Sequence, residues 1–219
     1  MDKNVFRSMS YGVYITTSYY GGRAAGCITN SNTQITSAPA TVSVSVNHDN
    51  FTNECIKKSG MFAFTILSEQ SDPGLIGQFG FQSSRDVYKF QDLDLPVHWI
   101  EGVPAVETGC GYAVCKVVNT IETSTHTIFL GEVIEAKSTS KETPMTYKYY
   151  HEVIRGKSPK NAPTYIAEEK KPEAPVEKKE GLHHWACQVC GYVYEGEFLP
   201  DDFVCPLCKH GAEEFEQID

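Results

Sequence analysis

Across the first 155 residues, apolar and polar positions alternate mostly with a period of two, the spacing of strands that bury one face. Residues 41–47 (TVSVSVN) alternate strictly and predict a strand. Residues 11–19 (YGVYITTSY) are rich in Tyr, Val, Ile and Thr, which favours another. Gly21-Gly22 then fits a two-residue hairpin turn, and residues 24–30 return as its partner. Residues 61–67 (MFAFTIL) are apolar throughout and predict a strand buried on both faces. Residues 112–122 and 126–136 read as two long strands after a loop carrying Pro96 and Pro104. Helices are short. Residues 4–8 form a first turn. Asn50 is placed to cap residues 51–58, with Gly60 ending that helix. Asp72-Pro73 opens another to about Phe79, and Ser84 is placed to cap residues 85–90. A closing helix over 146–155 would carry Tyr147, Tyr150 and Ile154 on one side. Mostly antiparallel strands with a few short helices predict a barrel.

The pattern then breaks. In residues 168–181, nine of fourteen are Glu or Lys, with two prolines and no aromatic residue. That composition cannot bury a core and predicts an extended tether, with a reach on the order of 20 Å or more. The chain thus divides into a β domain over 1–165, a charged linker over 166–182 and a small terminal module over 183–219.

Charge sharpens that division. The net charge is −9, and residues 185–219 hold eight acids against the single base Lys209, leaving −2 for the rest. So acidic a module is repelled by phosphate, which excludes a nucleic-acid partner and favours docking on a basic protein face. No apolar run approaches the roughly 20 residues a membrane span needs. The start Met1-Asp2-Lys3-Asn4 is not a signal peptide, so a cytoplasmic location with reduced cysteines is expected.

The chemistry concentrates in the module. Cys187-Gln188-Val189-Cys190 and Cys205-Pro206-Leu207-Cys208 stand fourteen residues apart. Each pair presents two thiolates from one turn, and two facing turns enclose a tetrahedral four-sulfur site for zinc or iron. A fold of about 35 residues needs such a metal to hold it together. Spacing alone leaves both metals open. His183 and His184 precede a site that four thiolates already complete, and read as linker residues. Cys27, Cys55, Cys110 and Cys115 are scattered and read as structural.

The β domain lacks a Gly-x-Gly-x-x-Gly after a strand, since Gly74, Gly77 and Gly80 fall in a helix and loop, so a Rossmann fold is not supported. It carries short polar residues at strand ends instead: Thr29-Asn30-Ser31, Asn47 and Asn50-Phe51-Thr52. These suit a phosphate or a ring edge, and they equally suit ordinary turns and caps.

Two resemblances bear on that choice. The module reads W-x-C-x-x-C-G-Y-V-Y-E-G, then L-P-D-D-F-V-C-P-L-C, then E-E-F-E, and it resembles the rubredoxins, in the compact version found fused to enzymes such as rubrerythrins. That implies a single iron passing one electron at a time. The stretch C-I-T-N-S-N-T-Q-I-T-S-A-P-A-T-V-S-V-S-V-N, followed by N-F-T, then G-Q-F-G-F-x-S-S-R-D-x-Y-K-F and T-H-T-I-F-L-G-E-V, resembles the FMN-binding split-barrel flavin reductases. The whole arrangement is similar to the fusions called high-molecular-weight rubredoxins.

The resemblance implies a homodimer with FMN near the subunit interface. Thr29, Asn30, Ser31 and Gln34 would lie along the isoalloxazine ring. Asn47, Asn50 and Thr52 would meet its edge or the phosphate, Arg85 and Lys89 would be cationic phosphate contacts, and His126 would stand by the nicotinamide or flavin. It implies an NADH- or NADPH-dependent oxidoreductase that feeds a partner, by resemblance a flavodiiron protein reducing O2 or nitric oxide. The alternative is a non-enzymatic flavin- or haem-binding sensor whose module is a zinc-held interaction domain. A reductase releasing free reduced flavin to a monooxygenase would have no use for the module.

Overall fold

The computed structural model describes residues 3–91, 93–154 and 182–218. The loop Lys157–Asn161 and the linker over 166–181 lie outside the described residues. After a 3-10 turn over Lys3–Ser8, the strands β1 (Tyr14–Tyr20) and β2 (Arg23–Thr29) form a hairpin through Gly21 and Gly22, both at positive φ. Then come β3 (Thr33–Ser37), β4 (Ala40–Asn47), α1 (Phe51–Ser59), β5 (Met61–Ile66) and α2 (Gly74–Gly80). They are followed by β6 (Val97–Ile100), β7 (Val103–Val106), β8 (Gly111–Glu122), β9 (His126–Ser138) and α3 (Tyr147–Glu152). The terminal module contains β10 (His183–Cys187), β11 (Val193–Gly196) and β12 (Phe215–Gln217).

Seven strands form one antiparallel sheet in the order β2-β1-β5-β8-β9-β4-β3. The sheet curls far enough for Cys27 of β2 and Val44 of β4, from its two flanks, to pack in one buried cluster with Phe62, Cys115 and Phe129. A second cluster, Val13, Leu75, Ile76, Phe79, Met145 and Tyr150, joins α2 and α3 to the outside of β1. β5 is buried along its middle on both faces, as its apolar run requires. Gly60 ends α1 in the left-handed conformation, with its N–H on the Ile56 carbonyl.

Four local features depart from what the sequence suggests. Residues 85–90 form turns instead of a helix, because Ser84 bonds in both directions to the backbone of Gly26 in β2 and does not cap. The polar run over 33–37 is the edge strand β3, exposed throughout, its ladder made with β4. The loop with Pro96 and Pro104 contains the hairpin β6–β7, with Pro104 inside the two-stranded ribbon. His183 and His184 belong to β10 and not to the linker, and His184 is buried in the module. Among the described residues, no helix is long and apolar enough to cross a membrane.

Candidate functional site

A cleft opens where β2, β4 and β9 end together. Thr29 and Asn30 line it from the end of β2, Ser45 and Asn47 from β4, Asn50 from the start of α1 and His126 from the start of β9. Antiparallel register places Asn47 directly opposite His126. The far wall is Ile76, Gly80 and Phe81 from the α2 region, with Tyr147 and Tyr150 from α3. Thr146 caps α3 by accepting the Tyr149 N–H at 3.1 Å, so Tyr147 and Tyr150, three residues apart, share a face and stack with ring centroids 6.0 Å apart.

The polar floor is ordered from within. Thr29 Oγ1 donates to Asn32 Oδ1 at 2.7 Å and also shares a hydrogen bond with Thr16 Oγ1. Asn47 Oδ1 accepts the Asp49 N–H at 2.9 Å. Asn50 stands at the N-cap of α1 but makes no side-chain cap bond, which leaves its amide for the cleft. His126 Nδ1 contacts Thr125 Oγ1 at 2.8 Å, while its Nε2 is buried and without a hydrogen-bond partner. Burial first, and then the nearby His48, pull its pKa below the usual range, so the ring is neutral at pH 7. In the turn after β2, next to the cleft but outside its lining, Ser31 Oγ and Asn32 Nδ2 are likewise buried without a partner. Groups of this kind seek a ligand with both donors and acceptors along its edge. The enclosed space is about 60 Å³, enough for a ring edge, with any larger ligand continuing over the mouth.

The remaining residues named from the sequence lie apart from this cleft. Gln34 is on exposed β3, with its amide on the Thr36 carbonyl. Thr52 is buried within α1, its hydroxyl against Cys27. Arg85 pairs with Glu54 at 2.9 Å and lies over the Phe51 ring. Lys89 is fully buried and donates to the carbonyls of Gly26 and Phe79, both at 2.9 Å. Burial pulls its pKa down to about 8, which still leaves it charged at neutral pH. The sequence does not mark Ser45, Phe81, Tyr147 and Tyr150 as site residues. The tyrosines carried a signal, their shared helix face, but nothing in the chain order says that α3 returns to the end of β2.

In the module, the four cysteines converge, all buried, with every Sγ within 4.8 Å of the others. Cys187 and Cys208 Sγ are 3.6 Å apart, Cys190 and Cys205 3.5 Å. A tetrahedron with metal–sulfur bonds of about 2.3 Å has edges of about 3.8 Å, so the cage fits one ion with little adjustment. The backbone is arranged for thiolates. N–H groups of Cys190 and Val189 point at Cys187, that of Tyr192 at Cys190 and that of His210 at Cys208. Burial works to raise Cys187, yet its N–H and thiol contacts hold it below the usual range. Burial and the neighbouring sulfurs raise Cys190 and push Cys208 up to about 12. Four buried sulfurs within reach of one another, three of them faced by backbone N–H groups, are arranged to hold a cation. Trp185, Tyr194, Phe203 and Phe215 pack in succession in tilted and edge-to-face pairs.

Comparison with known proteins agrees with this geometry. Residues 6–156 match the family described as "Flavin reductase like domain", and residues 185–216 match "Rubrerythrin, rubredoxin-like domain". The chain is 36% identical to the high molecular weight rubredoxin of Moorella thermoacetica, over 100% of both chains. It is 36% identical to a ferric-chelate reductase (NAD(P)H) of Archaeoglobus fulgidus over 76% of this chain and 98% of that one. Among solved structures, the NADH:FAD oxidoreductase SgcE6 of Streptomyces globisporus C-1027 superposes with a TM-score of 0.58 at 25% identity, covering 65% of this chain and 84% of that one.

Proposed function

The chain belongs to the flavin reductase-like family and ends in a rubredoxin-like domain, and from that premise we propose that it carries electrons from NADH or NADPH through FMN and a four-cysteine iron to a separate acceptor protein. It is an oxidoreductase. The observation that carries the reading is the coexistence, in one chain, of a polar-lined cleft in which His126 Nε2 has no partner and a buried four-thiolate cage. When bound, FMN accepts a hydride and returns electrons singly, and iron in the cage takes them one at a time.

The chain's own residues supply position and electrostatics. Thr29, Asn30, Ser31, Asn47 and Asn50 offer amides and hydroxyls to the edge of the flavin ring. Gln34 and Arg85, outside the cleft, would hold the rest of the flavin and its phosphate. His126, neutral and with Nε2 buried and unpartnered, would hold the ring system by one hydrogen bond and add no charge. Tyr147 and Tyr150 exclude water from the far side.

Homodimerisation is part of the proposal. Beyond its pairing with Met61 at Lys116, β8 has no β5 neighbour, and it exposes Val118 and Ile121, while β9 exposes Ile134. Exposed apolar residues on an unpaired strand edge call for a second copy. The acceptor is proposed to be a flavodiiron protein, with the acidic face of the module docking on a basic one.

Anaerobic titration of the purified protein with NADH tests the reading. Both the flavin absorbance and a ferric-thiolate spectrum should be present and bleach together. Zinc in place of iron after anaerobic expression would favour the zinc-held sensor instead.

A further inference from the structure

Among the described residues, Lys89 is the only buried lysine or arginine, 2% exposed. Its ammonium donates to the carbonyls of Gly26 and Phe79, both at 2.9 Å, and lies 5.7 Å from the centre of the Phe79 ring. The residue after each of those carbonyls, Cys27 on β2 and Gly80 at the end of α2, lines the flavin cleft. One ammonium therefore ties two walls of the cleft together from behind. Ser84 Oγ donates to the same Gly26 carbonyl at 3.1 Å. No carboxylate among the described residues pairs with Lys89, and the titratable group that faces it is the Cys27 thiol. Burial raises that thiol, against the pull of Lys89 and of the Thr52 hydroxyl of α1, so it stays neutral and does not balance the ammonium.

The cleft itself supplies no charge of either sign. Its lining holds no lysine, arginine, aspartate or glutamate, and His126 is neutral. A hydride carries two electrons and one proton, so a flavin ring that accepts one gains a negative charge. A fixed cation in a wall closed to water favours that charged state, and with no counterion beside it the field of Lys89 reaches the cleft undiminished. The ammonium is itself costly to bury, and burial pulls its pKa down to about 8. A negative charge arriving in the cleft offsets that cost.

We propose that Lys89 is an electrostatic positioning residue for the flavin: held behind the β2 and α2 walls of the cleft, its charge favours the reduced, anionic ring over the oxidised one. The inference rests on the flavin reading above and adds which residue sets the ring's readiness to accept a hydride. In that step a C–H bond of the reduced nicotinamide breaks and a bond to the same hydrogen forms on the flavin. The nicotinamide is oxidised by two electrons and the flavin reduced by two, while Lys89 exchanges neither atom nor electron.

Lys89→Gln in the full chain removes the charge and keeps two N–H donors for the carbonyls. Reduced FMN should then lose at least tenfold more affinity than oxidised FMN, which lowers the two-electron midpoint potential of bound FMN by about 30 mV or more. Anaerobic redox titration against an indicator dye reads that shift. A lysine with only a structural role would affect both forms alike, and an unchanged potential in the variant overturns the proposal. If Lys89→Gln does not hold FMN, the wild-type protein decides the matter. Its flavin potential should fall more steeply with pH above about 8, where Lys89 is discharged beside oxidised flavin and takes up a proton when the ring is reduced. One extra proton for two electrons adds about 30 mV per tenfold change in proton concentration. A single slope from pH 7 to about 9.5 overturns the proposal. Wild-type protein that binds no FMN would instead defeat the flavin reading itself.

Discussion

His126 and Lys89 show how one residue type in a motif acquires its role from burial. The Nε2 of His126 is buried and unpaired in the cleft, and burial with His48 nearby keeps the ring neutral. Its folded pKa lies below the unfolded value of 6.5, so the unfolded chain binds the proton first and stability falls as pH drops through about 6.5. Chemical denaturation at pH 7.5 and 5.5 should show a smaller loss in His126→Gln than in wild type. The same variant should slow flavin reduction by NADH about tenfold, the worth of one hydrogen bond near 1.4 kcal/mol. Lys89 presents the opposite case. Its two carbonyl contacts tie Gly26 in β2 to the end of α2, and Lys89→Met leaves both carbonyls unsatisfied. We expect a loss of about 2–4 kcal/mol in unfolding free energy, read by denaturant titration. The sequence carried the residue types at these positions. It carried nothing about which cation would be enclosed, since that depends on how the turns over 85–90 fold back onto β2.

At the scale of elements, the alternating strands and capped helices were readable because each is specified by neighbours a few residues away. β4, β5, α1 and the β1–β2 hairpin all appear where period and turn residues place them. The elements that escaped, β3 and β6–β7, are short, polar or proline-containing and are held by pairing with distant segments. The cysteine module is the most local of all. Its two knuckles bring four sulfurs together with their own N–H groups, so Cys205→Ser should abolish the ferric spectrum and electron delivery to an external acceptor. NADH-dependent reduction of free flavin should persist in that variant, as measured by NADH oxidation with added FMN. Loss of bound FMN from it would show that the two domains do not fold independently.

For the whole molecule, charge and exposed surface set the expectations. The module carries −7 of the total −9, so transfer to a basic acceptor should slow markedly from low salt to about 0.5 M, where the screening length is below 10 Å, while flavin reduction changes little. Stopped-flow rates at both centres across the salt series check this. If the β8–β9 edge is the interface between copies, Ile121→Lys should yield monomers in sedimentation velocity, since Ile121 is 58% exposed in the single chain. The sequence by itself determined the β-rich architecture, the flavin reductase-like and rubredoxin-like domains and the four sulfur ligands, because period, composition and short-range spacing are local properties. Only the tertiary structure decided that Asn47 faces His126 and that Asn50 turns from cap to cleft. Those relations join segments far apart in the chain, and they are set by the strand order and curl of the sheet, which no local pattern encodes.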